Sequence, residues 1–121
     1  MLRELQYGDS MSEDSKEDFT LQDALAAVAN SADGLYAFLL KNGSMELGYY
    51  KPDSVDEQQP HDQDEIYIVQ SGSGTFTRDD EQIPFNAGDA LFVAAGVKHH
   101  FDNFTDDFAA WVIFYGPPGG E

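Results

Sequence analysis

Beyond Gly34 the chain is a succession of short apolar and aromatic segments cut apart by turns, most of them glycine-bearing, and this pattern limits the folds open to it. Leu35–Lys41, Met45–Lys51, Glu65–Gln70, Thr75–Arg78, Gln82–Phe85, Ala90–Val93, His99–Phe104 and Phe108–Tyr115 have strand length and are rich in β-branched and aromatic residues. Between them stand Asn42-Gly43, a strong hairpin signal, then Ser71-Gly72-Ser73-Gly74, Asp79-Asp80-Glu81, Asn86-Ala87-Gly88-Asp89 and Ala95-Gly96. The segment Pro52–Pro60 reads as a polar loop. No helical period alternates with these strands, which argues against a doubly wound α/β fold and predicts an all-β antiparallel sandwich or barrel. Gly72, Gly88 and Gly96 are expected to supply positive φ at its tight turns.

One helix precedes the strands. Thr20-Leu21-Gln22-Asp23 resembles a capping box, and Leu21, Ala24, Leu25 and Val28 follow helical spacing, predicting a helix over about 21–31 with Gly34 as its stop. Residues 1–19 form an N-terminal arm and acidic loop whose apolar anchors are Leu2, Leu5 and Tyr7. The expected organisation is therefore arm 1–19, helix 20–34, barrel 35–116, and a tail 117–121 whose Pro-Pro-Gly-Gly sequence cannot continue a strand. At 121 residues this is one domain.

Charge removes several function classes. Six Lys and Arg against 23 Asp and Glu leave a formal charge of −17, which repels nucleic-acid backbones and anionic membrane surfaces. The acidic residues are spread through the loops (Asp53, Asp56, Asp62, Asp79, Asp80, Asp106) rather than gathered in one tail. Such scatter is a surface property, and its self-repulsion is relieved when salt shortens the Debye length to about 3 Å at 1 M. A halophilic, salt-rich cytoplasm is the expectation. There is no cysteine, hence no disulfide and no thiolate chemistry. No apolar run reaches the roughly 18 residues of a membrane span, so a cytoplasmic protein is expected. P-loop, G-x-G-x-x-G and G-x-S-x-G motifs are absent.

Chemistry is concentrated around two of the three histidines. By strand parity His61, Gln63, Glu65, Tyr67 and Val69 share one face, with Gln59 in the same phase. Polar groups repeated on an inward face are costly unless they converge on a ligand or cation. Imidazole with carboxylate suits a divalent first-row metal, and His99 from a neighbouring strand would complete a two-His, one-carboxylate set with open positions. A solvated His beside an acidic hairpin shoulder is the plainer alternative.

Spacing favours the metal. Gln59-Pro60-His61, three residues, Glu65, six residues and Gly72 lie on the pattern HXH(X)3–4E(X)6G. Gly88, five residues, Ala94-Ala95-Gly96, two residues, His99, three residues and Asn103 lie on G(X)5PXG(X)2H(X)3N. These are the two motifs of the cupin family, and the chain resembles a small single-domain cupin over about 35–115. The resemblance implies a double-stranded β-helix, or jelly-roll barrel, holding a divalent ion (iron, zinc, manganese or nickel) inside. It places His61, Glu65 and His99 on ligand positions. Gln59 falls where the family has its first His, a weaker neutral donor; the alternative frame gives that place to Gln63. Asp53 replaces the opening Gly of the first motif and Ala94 the Pro of the second.

The reading that follows is a metal-dependent enzyme of dioxygenase, isomerase or decarboxylase type acting on a small molecule in the barrel. A non-catalytic small-molecule or metal-binding module is the alternative. Glu65 and Tyr67 are the candidate catalytic residues, Tyr67 as acid or orienting donor. His100 should face outward, Phe101 inward, and Asn103 should be structural, its amide satisfying backbone groups. The resemblance also implies a homodimer, in which the N-terminal arm could supply a swapped edge strand.

Overall fold

The protein is described by a computed structural model covering residues 16–56 and 58–121; the arm anchored by Leu2, Leu5 and Tyr7 lies outside the described residues. Helix α1 is Leu21–Ala29, and the strands are β1 Tyr36–Asn42, β2 Met45–Tyr50, β3 Asp64–Ser71, β4 Ser73–Arg78, β5 Glu81–Asn86, β6 Ala90–Val93, β7 His99–Asp102 and β8 Ala109–Tyr115. Two antiparallel sheets carry them, one in the order β1-β2-β8-β3-β6 and the other β5-β4-β7. The all-β class with one short helix is thus as expected. Among the described residues no helix is long and apolar enough to cross a membrane.

The capping box is complete. The Thr20 hydroxyl accepts from the Asp23 N–H at 3.0 Å while the Asp23 carboxylate accepts from the Thr20 N–H at 2.9 Å. The helix ends at Ala29 with Asn30 as its C-cap, against an expected end near 31, because the Asn30 N–H closes on the Ala26 carbonyl and the Ser31 N–H on the Val28 carbonyl. Ala24 and Val28 are buried against Ala37 of β1, Tyr49 of β2 and Ala109 of β8, covering the outer face of the larger sheet. Trp111 meets Tyr49 edge-on there at 5.0 Å.

The main core fills the space between the sheets. Tyr67 and Val69 of β3, Val112 of β8 and Leu91 and Val93 of β6 face Phe76, Phe85 and Phe101 from the smaller sheet. Phe101 is the hub of this core, within 4.7–5.4 Å of the rings of Tyr67, Phe76, Phe85 and Phe108. The segment Ser71–Gly74, read in sequence as a turn, is instead the corner where the chain leaves one sheet for the other. Gly72 stands there at φ +85°, and a Cβ on it would lie 2.6 Å from the Phe108 backbone, so both conformation and contact demand glycine. Gly88 and Gly96 also take positive φ, as expected.

Candidate metal centre

The two sheets bring the predicted ligands to one point from three places. Glu65 is the second residue of β3, His99 opens β7 on the opposite sheet, and His61 precedes β3. His61 was expected on the strand, but β3 begins only at Asp64; a bend at Asp62–Gln63, not strand parity, swings its ring back over Glu65. The His61 carbonyl accepts from Gly96 N–H at 2.7 Å, which pins this bend to the turn before β7. His61 Nε2 lies 4.0 Å and His99 Nε2 3.3 Å from Glu65 Oε1, and one ligand atom from each residue falls within 4.8 Å of the others. The His61 ring leans edge-on against Phe114 at 4.9 Å.

Protonation can be read from the partners. His99 Nδ1 lies 2.9 Å from the Val97 carbonyl, which can only accept, so Nδ1 carries the hydrogen and the neutral ring turns its Nε2 lone pair toward Glu65. Glu65 is 1% exposed and neither of its oxygens accepts a hydrogen bond. A buried carboxylate facing an imidazole lone pair at 3.3 Å is acceptor against acceptor, an arrangement that requires a cation between them. A proton can serve. Burial opposes the charged imidazole, yet the Glu65 carboxylate and the Val97 carbonyl outweigh it and raise the His99 pKa. A divalent ion would serve the same oxygens and lone pairs, and the donor set of two imidazoles and one carboxylate fits a first-row metal.

His61 and Glu65 line a cavity of about 170 Å³ together with Tyr36, Tyr50, Gln58, Tyr67, Val112 and Phe114, while His99 lines the neighbouring groove with Asp56, Gln58 and Gln59. The Tyr67 hydroxyl donates to Gln58 Oε1 at 2.7 Å and stands 3.1 Å from His99 Nε2. Burial, then the Glu65 charge, push its pKa well up, so the phenol stays neutral. Tyr36 donates to Glu46 and Tyr50 to Asp56, and burial raises both of these phenols as well.

The structure places the glutamines of the two frames in different surroundings. Gln59 is exposed and lines an outer groove with Asp56, Gln58, Lys98, His99 and His100, beside His99 but outside the cavity that His61 and Glu65 line. Gln63 is spent structurally, donating to the Ser44 and Gly116 carbonyls at 2.8 and 2.9 Å. The amide that reaches the chamber is Gln58. It was missed because period two was carried backwards from β3 through a loop that has no strand geometry; the one clue in sequence was a third acid, Asp56, two residues before it. In the structure Asp56 accepts from the Gln58 N–H and side-chain amide, from Tyr50 and from the Phe101 N–H. His100 faces away, 2.7 Å from Asp102, as expected. Asn103 is exposed with φ +51°; its contribution is a left-handed backbone rather than an amide bond.

Comparison with known proteins agrees with this architecture. The Cupin domain family model matches residues 47–115. An uncharacterized protein of Streptomyces coelicolor is 36% identical over 97 residues, spanning 78% of this chain and 92% of that one. Among solved structures, a cupin superfamily protein from Desulfitobacterium hafniense superposes with a TM-score of 0.58 at 19% identity, over 69% of this chain and 77% of its own. A predicted oxalate decarboxylase from Thermotoga maritima does so with a TM-score of 0.53 at 22% identity, over 66% and 77%. With both motifs in place and more than half its length on the family model, this chain belongs to the cupin family.

Proposed function

We propose that the protein is a metal-dependent enzyme that transforms a small molecule inside the barrel, by chemistry of the dioxygenase, isomerase or decarboxylase type. The observation that carries this reading is the convergence of His61, His99 and the unpartnered, buried Glu65 beside a cavity that His61 and Glu65 line. His61, Glu65 and His99 would hold a divalent ion, which supplies Lewis acidity and open coordination positions when bound. Gln59, in the groove beside His99, is the candidate fourth donor.

The chain's own groups do the rest. The Val97 carbonyl sets the His99 tautomer and aims Nε2 inward. Tyr67, fully buried and neutral, donates its proton to Gln58 and would orient a ligand's hydroxyl or N–H through its oxygen lone pairs. The alternative is a non-catalytic binding module with the same ligands; the neutral Tyr67 hydroxyl, 3.1 Å from His99 Nε2, favours catalysis.

Metal content of protein purified without chelator tests the site. His61→Ala and His99→Ala should each lose the metal, whereas His100→Ala should keep it. Equal metal in all three variants would refute the assignment. Turnover lost in Glu65→Gln with fold retained would then separate enzyme from binder.

A further inference from the structure

The chamber's charge inventory narrows what it can accept. Among the described residues no Lys or Arg lines it; Lys98 lies in the outer groove and Arg78 of β4 is tied to Glu81 and to the Phe92 carbonyl of β6. Anions, by contrast, surround it. Glu65 is in its wall, and Glu46 and Asp56 stand directly behind Tyr36 and Tyr50. Even with a divalent ion on His61, Glu65 and His99, three carboxylates outnumber its charge. A ligand carrying a carboxylate or phosphate would find no cationic side chain to replace its water shell.

The phenols define the polar handle. All three tyrosine hydroxyls donate to protein acceptors, to Glu46, Asp56 and Gln58. Their remaining capacity toward the chamber is oxygen lone pairs. A ligand must therefore bring the hydrogen, through a hydroxyl or an N–H. Its body must be apolar and compact, because Val112, Phe114 and the tyrosine rings make up the rest of the wall. A cavity of about 170 Å³ is close to the roughly 150 Å³ that holds a benzene ring. A cationic ligand would suit the carboxylates but not the bound ion.

We infer that the chamber selects an uncharged, hydrogen-bond-donating small molecule with an apolar body of aryl size, an alcohol or phenol, and rejects carboxylates and phosphates. This rests on the reading of the chamber as the ligand site beside the metal. It sets this chain apart from any relative whose substrate is an anion.

Three probes of matched size carry the test: benzyl alcohol, benzoate and benzylammonium, titrated by calorimetry and by ligand-observed NMR into metal-free and zinc-loaded protein. Benzyl alcohol should bind at least tenfold more tightly than benzoate in both forms, and more tightly than benzylammonium in the zinc form. Gln58→Lys, which places a cation in the wall, should bring benzoate level with benzyl alcohol or ahead of it. Val112→Phe, which fills the chamber, should abolish binding; if it fails to fold, competition between benzyl alcohol and cyclohexanol for the unaltered protein locates the site. Benzoate equal to or tighter than benzyl alcohol, benzylammonium tightest in the zinc form, or no saturation by benzyl alcohol up to 10 mM would each overturn the inference. The metal-free titration judges charge selection even if metal analysis of His99→Ala refutes the metal centre, so the two readings fail separately.

Discussion

Gly48→Ala is a substitution in which two elementary effects oppose each other and the structure decides between them. Gly48 lies in β2, paired with Phe38 on one side and Val112 on the other, with ordinary strand backbone. Strand propensity alone predicts that Ala stabilises it by about 0.5–1 kcal/mol. A Cβ there, however, would lie 2.1 Å from the Tyr36 hydroxyl oxygen and 2.4 and 2.6 Å from ring carbons. Tyr36 sits opposite Tyr50, and its ring runs along β2 over Gly48 to reach Glu46 at 2.9 Å. The ring must leave. The bond to a carboxylate is worth about 1.5–3 kcal/mol, and re-exposing roughly 50 Å² of ring costs about another 1 kcal/mol. The net expectation is a loss of about 2–3 kcal/mol, read by urea unfolding, together with an opened chamber and at least tenfold weaker benzyl alcohol binding. In a Tyr36→Ala background the same Gly48→Ala change should be neutral or slightly stabilising, because nothing is left to displace. Unchanged stability in the single variant, or an equal loss in both backgrounds, would refute the reasoning.

Two further expectations address the acidity of the chain. Asp64 is held below its ordinary pKa of 3.8 by the N–H groups of Glu121 and Ala95. Its ionised form therefore favours the folded state, a contribution complete above pH 3.8 and lost as pH falls through the lower folded value. Asp64→Asn should lower Tm by a few degrees at pH 7 and converge on the parent protein in acid; parallel curves down to pH 2 would contradict this. Among the described residues the exposed carboxylates have few cationic partners, chiefly Lys16 with Asp23 and Arg78 with Glu81. Raising KCl from 0.1 to 3 M should accordingly raise Tm, and a flat or falling response measured by circular dichroism would remove the case for adaptation to salt.

Much of the fold was legible because it rests on local chemistry. The strand segments declared themselves by β-branched and aromatic runs, and the capping box at Thr20 and Asp23 satisfies itself within four residues. The convergence of His61, Glu65 and His99 was legible for a different reason: motif spacing carries geometry that parity does not, since His61 reaches Glu65 through a bend rather than along a strand. What stayed hidden depends on partners distant in sequence. Gln58 faces the chamber because Asp56 is tied to Tyr50 and to the backbone of Phe101, 45 residues away. Gly48 matters only once Tyr36 lies across it, and Gly72 looks like any turn glycine until the Phe108 backbone closes on it. Irregular segments and cross-strand seats are set by tertiary contacts, which no single-chain periodicity encodes.

The way Asp56 is bonded has a bearing on where the fold opens. Four hydrogen bonds converge on that one carboxylate, from Tyr50, from Phe101 and twice from Gln58, so lifting the Gln58 side would unfasten both sheets at once. The Tyr36 panel, in contrast, is held shut by a single bond to Glu46. Of the two fastenings the single Tyr36–Glu46 bond is the easier to break, so native-state hydrogen exchange is expected to be faster along β1 than around Phe101.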